Sequence, residues 1–353
     1  MDAERRSRAW MMIALVMLPL ALGAGWWSGR SSARDSEPPP SPSAAPMPVP
    51  SNASTPAPDA AVRNPASAAA ARPSNAPLPD LSTPLRNILP ELKRRADAGD
   101  PTAACRLAAE MEFCDDVRRR LDEAANTLHY TGGGSGPAAT PEFEARQRAA
   151  REAATVRGEQ ALKESAHCEG IPAFDSRERL HYWRAAARGG SAPAINFYVM
   201  GRPFRREDTL EELDALRVYR DEVEAIALRG VAAGDITTTL ALANAYSPHR
   251  RSERNLLNQA VTPDAGKSLA LYLQAKALLD QPPPGVPRQG QLFDRFVRDL
   301  EGDLDATALA RAREQAAAYR QAAPAPLLPS RARRGNALPA GGPNALLREQ
   351  CTP

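Results

Sequence analysis

Apolar residues follow two different patterns along this chain. Ala9–Trp27 is an unbroken run of nineteen residues without a charge. From Leu81 onward they return every three or four positions, with polar residues between them, which is the spacing of helices that bury one face. Leu85, Ile88, Leu89 and Leu92 keep this register, with Pro84 and Pro90 limiting the first turn. The pattern predicts further helices over Leu92–Ala98, Pro101–Val117, Pro141–Glu164, Ser176–Arg188, Ala192–Met200, Leu210–Gly234, Thr237–Tyr246, Ala265–Leu279, Leu292–Leu300 and Ala306–Ala322. Every element read from this pattern is helical, so the expected fold is all-α.

Three joints between these helices share one composition. Ala96-Asp97-Ala98 leads into Gly99-Asp100, Ala185-Ala186-Ala187-Arg188 into Gly189-Gly190-Ser191, and Val231-Ala232-Ala233 into Gly234-Asp235. Glycine tolerates the left-handed conformation that ends a helix, and the polar residue after it can cap the next one. Each joint therefore predicts a helix hairpin. Such a unit buries its apolar face against neighbours, not against itself.

The first pattern has another meaning. Nineteen residues at about 1.5 Å each span roughly 28 Å, close to the hydrocarbon thickness of a bilayer. Trp10 and Trp26-Trp27 flank the run where interfacial aromatics sit, and Arg5, Arg6 and Arg8 precede it. This predicts a signal anchor over 9–27 with residues 1–8 in the cytoplasm. The rival is a cleaved signal peptide, whose apolar core is shorter and whose small-x-small site is poorly matched by Leu22-Gly23-Ala24. Residues 28–80 are rich in Pro, Ala and Ser and cannot build a core, so they read as an extended disordered tether. Many of the 34 prolines lie there and in the Pro/Arg/Gly tail over 323–353, which also reads as disordered. One folded region, 81–322, remains. Abundant Ala and Arg with few aromatics suit helices packed through small side chains and point to a GC-rich bacterial source. The expected location is the bacterial inner membrane, with the C-terminal domain in the periplasm. A net charge of +3 over 353 residues gives no electrostatic case for nucleic-acid binding.

An aromatic-and-alanine first helix, then Ala-x-x-Gly, a small polar residue and Ala-x-x-x-Leu-Ala, resembles the Sel-one-like subclass of tetratricopeptide repeats. Arg179–Tyr198 carries the resemblance best and Leu228–Tyr246 next. The joints at Gly99, Gly189 and Gly234 lie farther apart than regular repeats, so insertions interrupt the array. The resemblance implies an irregular α-solenoid that binds proteins on its concave face, and it implies no catalytic mechanism or cofactor. Cysteine-containing relatives of this subclass are associated with β-lactam or cell-wall binding, which makes an envelope hydrolase the alternative. A cleaved, soluble periplasmic protein is the other.

The four cysteines are Cys105, Cys114, Cys168 and Cys351. Outside the cytoplasm disulfides are expected. Cys105 and Cys114 lie about 180° apart on one predicted helix and cannot bond to each other there. Cys114 with Cys168 is the preferred bridge, tying the far end of the insertion to the first repeat. Cys351 is free or pairs with Cys105, and Cys105 can equally be a buried seam residue. The glycine-rich stretch 132–137 has no Lys-Ser/Thr and no apolar strand beside it, and Gly266-Lys267-Ser268 lacks the first glycine of a phosphate loop, whose place is taken by Val261. His167-Cys168 lacks further ligands at metal-site spacing, so no metal site is expected. Tyr182 and Trp183 are candidates for lining a ligand groove, although their helical spacing favours packing.

Overall fold

The computed structural model describes residues 76–132, 140–249, 255–281, 288–322 and 342–352. These form helices joined by turns, and the fold is all-α. The expected span 9–27 and the tether 28–80, apart from its last residues, lie outside the described residues. Among the described residues no helix is long and apolar enough to cross a membrane.

The helices are α1 (Leu85–Asp97), α2 (Pro101–Gly132), α3 (Pro141–Ser165), α4 (Ser176–Arg188), α5 (Ala192–Val199), α6 (Leu213–Ala232), α7 (Ile236–Tyr246), α8 (Leu256–Ala260), α9 (Ala265–Asp280), α10 (Asp294–Asp303), α11 (Ala306–Ala322) and α12 (Gly342–Gln350). Packing follows chain order: α1 on α2, α2 on α4, α4 on α5, α5 on α6, α6 on α7, α7 on α9 and α9 on α11. A large apolar core runs through these contacts from Leu85 to Ala312, and Ile236, Leu278 and Leu279 form a second, small cluster. Trp183 stacks on Phe197, Tyr198 and Phe204 meet Tyr219, and Tyr272 lies against Phe293 and Phe296.

The joints close by one repeated bond pattern. The Gly99 amide donates to the Ala96 carbonyl and the Asp100 amide to Arg95; Gly190 donates to Ala187 and Ser191 to Ala186; Gly234 donates to Val231 and Asp235 to Gly230. This is the Schellman arrangement, which needs its glycine in the left-handed region. Gly99, Gly190 and Gly234 have φ of 88°, 90° and 77°. At the middle joint the turn residue is thus Gly190. Gly189 is right-handed and serves another need: a Cβ there would lie 2.5 Å from Pro101 Cβ.

Three expectations are corrected here. Pro90 does not divide α1, which runs through it. The helix expected to stop near Val117 continues to Gly132, because its second half packs against α3 as a long antiparallel hairpin. Ala124, Ala154 and Ala161 are buried in that hairpin, and Gly158 lets the two backbones approach. The tail is not disordered throughout. Residues 342–350 form α12, which packs on α2.

Candidate functional site

Helix α2 organises the chemistry because its polar residues fall on two opposite faces. Arg106 and Glu110 are one turn apart and share a face, whereas Glu112 is rotated about 200° from Glu110. Each face carries a buried ionic cluster.

On the first face, Arg106 Nε donates to Glu110 Oε1 at 2.7 Å, and both side chains are fully buried. Glu110 Oε2 lies 2.8 Å from His167 Nε2 and 2.7 Å from Arg348 Nε of α12. The Arg348 guanidinium also stacks on Phe113, 4.4 Å from the ring centre, and donates to the Leu81 carbonyl at 2.8 Å. Arg106 Nη1 donates to Thr352 Oγ1 at 2.8 Å. Burial alone would raise the Glu110 carboxyl. The bond from His167 and the charges of Arg348 and Arg106 outweigh that and hold it below the ordinary carboxylate range.

Both disulfides border this face. Cys105 bonds to Cys351, with Cα atoms 5.3 Å apart, and Cys114 bonds to Cys168, with Cα atoms 5.7 Å apart. The first bond fastens α12 to α2; the second fastens the end of α3 to α2. His167 and Cys168, adjacent in the sequence, therefore have separate structural partners. Among the described residues no group of three or more His, Cys, Asp or Glu is placed to hold a metal ion.

On the opposite face, Arg179 of α4 lies among four carboxylates. Its nitrogens come within 3.0 Å of Glu112, 3.5 Å of Asp115, 3.3 Å of Asp208 and 3.8 Å of Glu212. Arg205 adds contacts of 2.7 Å to Glu112 and 3.3 Å to Asp115. The two guanidiniums tie the irregular segment 201–212 to α2 and α4. Arg118 also pairs with Asp115 at 2.6 Å, so three arginines meet four carboxylates, and burial raises both Glu112 and Glu212, the latter to about 7. A carboxyl there can hold a proton near neutrality, as buried acids do.

Tyr182 and Trp183, the groove candidates, are drawn into the packing around α4. Both are buried: Tyr182 donates to Asp97 at 3.0 Å, and Trp183 Nε1 lies 3.4 Å from Glu112 Oε1. Rings at this helical spacing fill the seam between α4 and its neighbours. The same bonding recurs between later helices: Tyr198 donates to Glu222, Tyr246 to Glu224 and Tyr272 to Asn244. Ion pairs Lys93–Glu178, Arg184–Glu222 and Lys267–Glu224 accompany them. Lys267 and Ser268 are thus engaged in packing, with Ser268 donating to the Ala243 carbonyl.

The turn residues sit where they start helices. Asp100 accepts from the amides of Thr102 and Ala103 and also binds Arg95, while Asp235 accepts from Thr237 and Thr238. Ser191 makes no side-chain cap, and Pro193 behind it has no amide to offer. Sequence reasoning missed both ionic clusters, whose members lie far apart in the chain and carry no spacing signature. No protein-family profile, curated protein or solved structure matches this chain.

Proposed function

We propose that the chain is a membrane-tethered protein of the bacterial envelope whose helices form an irregular α-solenoid, and that its task is to bind other proteins. The observation that carries this reading is the recurrence of a helix–Gly–polar–helix joint at Gly99–Asp100, Gly190–Ser191 and Gly234–Asp235; the bond pattern itself also ends α5 at Gly201, where no helix follows directly. Helix pairs joined this way and packed in chain order are how repeat arrays build extended binding surfaces. The resemblance of Arg179–Tyr198 and Leu228–Tyr246 to Sel-one-like repeats agrees with it. The long α2–α3 hairpin is then an insertion that widens the spacing of the first two joints.

The two disulfides favour an oxidising compartment, and the apolar run 9–27 supplies a route there with the N-terminus left in the cytoplasm. The Pro-rich stretch 28–80 holds the array away from the bilayer. Thiol trapping in intact bacteria tests compartment and anchor together. The expected result is a full-length protein in the membrane fraction with all four cysteines bonded. Free thiols in the trapped protein, or a mature terminus near Gly25, would sink the anchored-envelope assignment.

A further inference from the structure

We propose that residues 342–352 act as a detachable ligand for a helix-binding groove on α2, and that reduction of Cys105–Cys351 opens the groove while leaving the array folded. The inference does not depend on the tethered-scaffold reading.

Helix α12 has nine residues, fewer than the roughly 12–15 at which isolated helices become even marginally stable. Its shape is therefore supplied by what it lies on. Leu347 and Cys351, one turn apart, are buried against α2, and Arg348 enters the cluster of Glu110, His167 and Phe113. The described segment before it ends at Ala322, so residues 323–341 separate α12 from the array in sequence. Helix α2, by contrast, is held by α1, α3 and α4, and Cys114–Cys168 fastens it independently.

Undocking takes Thr352 from Arg106 Nη1 but leaves the Glu110 carboxylate paired. When Arg348 leaves, Glu110 keeps Arg106 at 2.7 Å and His167 at 2.8 Å, so no buried carboxylate is left unpaired. The groove's recognition features are an apolar slot for Leu347, a carboxylate facing Arg348, and a thiol at Cys105. They select an amphipathic helix with Leu-Arg followed one turn later by Cys. Opening is a two-electron exchange: a dithiol attacks one sulfur and forms a mixed disulfide, then closes to its own disulfide. Cys105 and Cys351 leave as thiols carrying the dithiol's two protons.

Two measurements on the full chain test this. Hydrogen exchange is compared between wild type and the double variant Cys105→Ser/Cys351→Ser. The expected result is a loss of protection on the order of 100-fold over 344–350, with α1, α2 and α4 unchanged. Unchanged protection of α12 would mean the bond does not govern docking. Loss of protection throughout the array would mean the bond is a general staple. Either result overturns the proposal. In the second measurement, a synthetic peptide of residues 342–352 with an activated Cys351 is offered to full-length Cys351→Ser protein. An adduct at Cys105 is expected, and none with a scrambled peptide or with oxidised wild type. No adduct, or equal labelling by the scrambled peptide, overturns the groove.

Discussion

Gly189 and Pro101 touch across the seam between the end of α4 and the start of α2, and a Cβ on Gly189 would come within 2.5 Å of the proline ring. Two joints ninety residues apart in the chain are thereby packed against each other. A proline ring cannot swing aside as a flexible side chain can. Gly189→Ala should therefore cost about 1–3 kcal/mol through overpacking. Gly99 is the control, because its φ of 88° is left-handed but a Cβ there meets nothing within 4 Å. Gly99→Ala should lose only about 1–2 kcal/mol of conformational preference. Urea unfolding of the two variants checks the order, and a larger loss at Gly99 would contradict the close-contact account.

Arg95 and Asp100 form a pair that is almost completely buried, with two nitrogens within 2.9 Å of one carboxylate oxygen. The other oxygen caps α2. Removing the arginine leaves a buried carboxylate short of a counter-charge. Arg95→Met is expected to destabilise the protein by about 3–5 kcal/mol. A change under 1 kcal/mol would show that the joint does not depend on this pair.

The bond between Cys114 and Cys168 joins residues 54 apart and encloses the second half of α2 together with α3. The chain-entropy estimate for such a loop is about 4 kcal/mol. Cys114→Ala/Cys168→Ala should lower stability by roughly that amount, with the midpoint of unfolding falling accordingly. An unchanged midpoint would mean that the hairpin is held by packing alone.

Burial lifts Glu212 to about 7, above its ordinary value of 4.5. Between those values the folded chain keeps a proton that the unfolded chain has released. Stability contributed by this group is therefore present below about pH 4.5, falls as pH rises through the window and levels off above about pH 7. Glu112, also raised by burial, acts in the same direction. Subtracting the stability of Glu212→Gln from that of wild type at pH 5, 6, 7 and 8 isolates the effect. The difference should decline with pH, and a flat difference would contradict it.

The helices and their joints were legible because both signals are local. A 3.6-residue apolar period and a glycine followed by Asp or Ser lie within one short window. What separates Gly189 from Gly190 is not local: one meets Pro101 and the other carries the positive φ, and a pair of adjacent glycines looks alike for both. The second half of α2 was missed because its buried contacts with α3 use alanine and glycine, which leave little periodic trace.

The site was less legible than the fold. Helix α12 lies in a Pro- and Gly-rich tail, and its helical form comes from a surface 246 residues away in the chain, the separation of Cys105 and Cys351. Arg179 with Glu112 and Glu212, or Glu110 with His167 and Arg348, are assembled by packing and have no spacing to read. Tyr182 and Trp183 show the converse, since exposed and buried aromatics look the same at helical spacing until a neighbour covers them.

The most direct test of the binding role is quantitative crosslinking in intact bacteria, comparing the full-length protein with a form in which residues 81–322 are deleted and the anchor and tether remain. The account predicts that the same partner is crosslinked to the full-length protein in repeated experiments, and that its recovery falls to background with the deleted form. Equal recovery by both forms, or no partner with either, would contradict a protein-binding array.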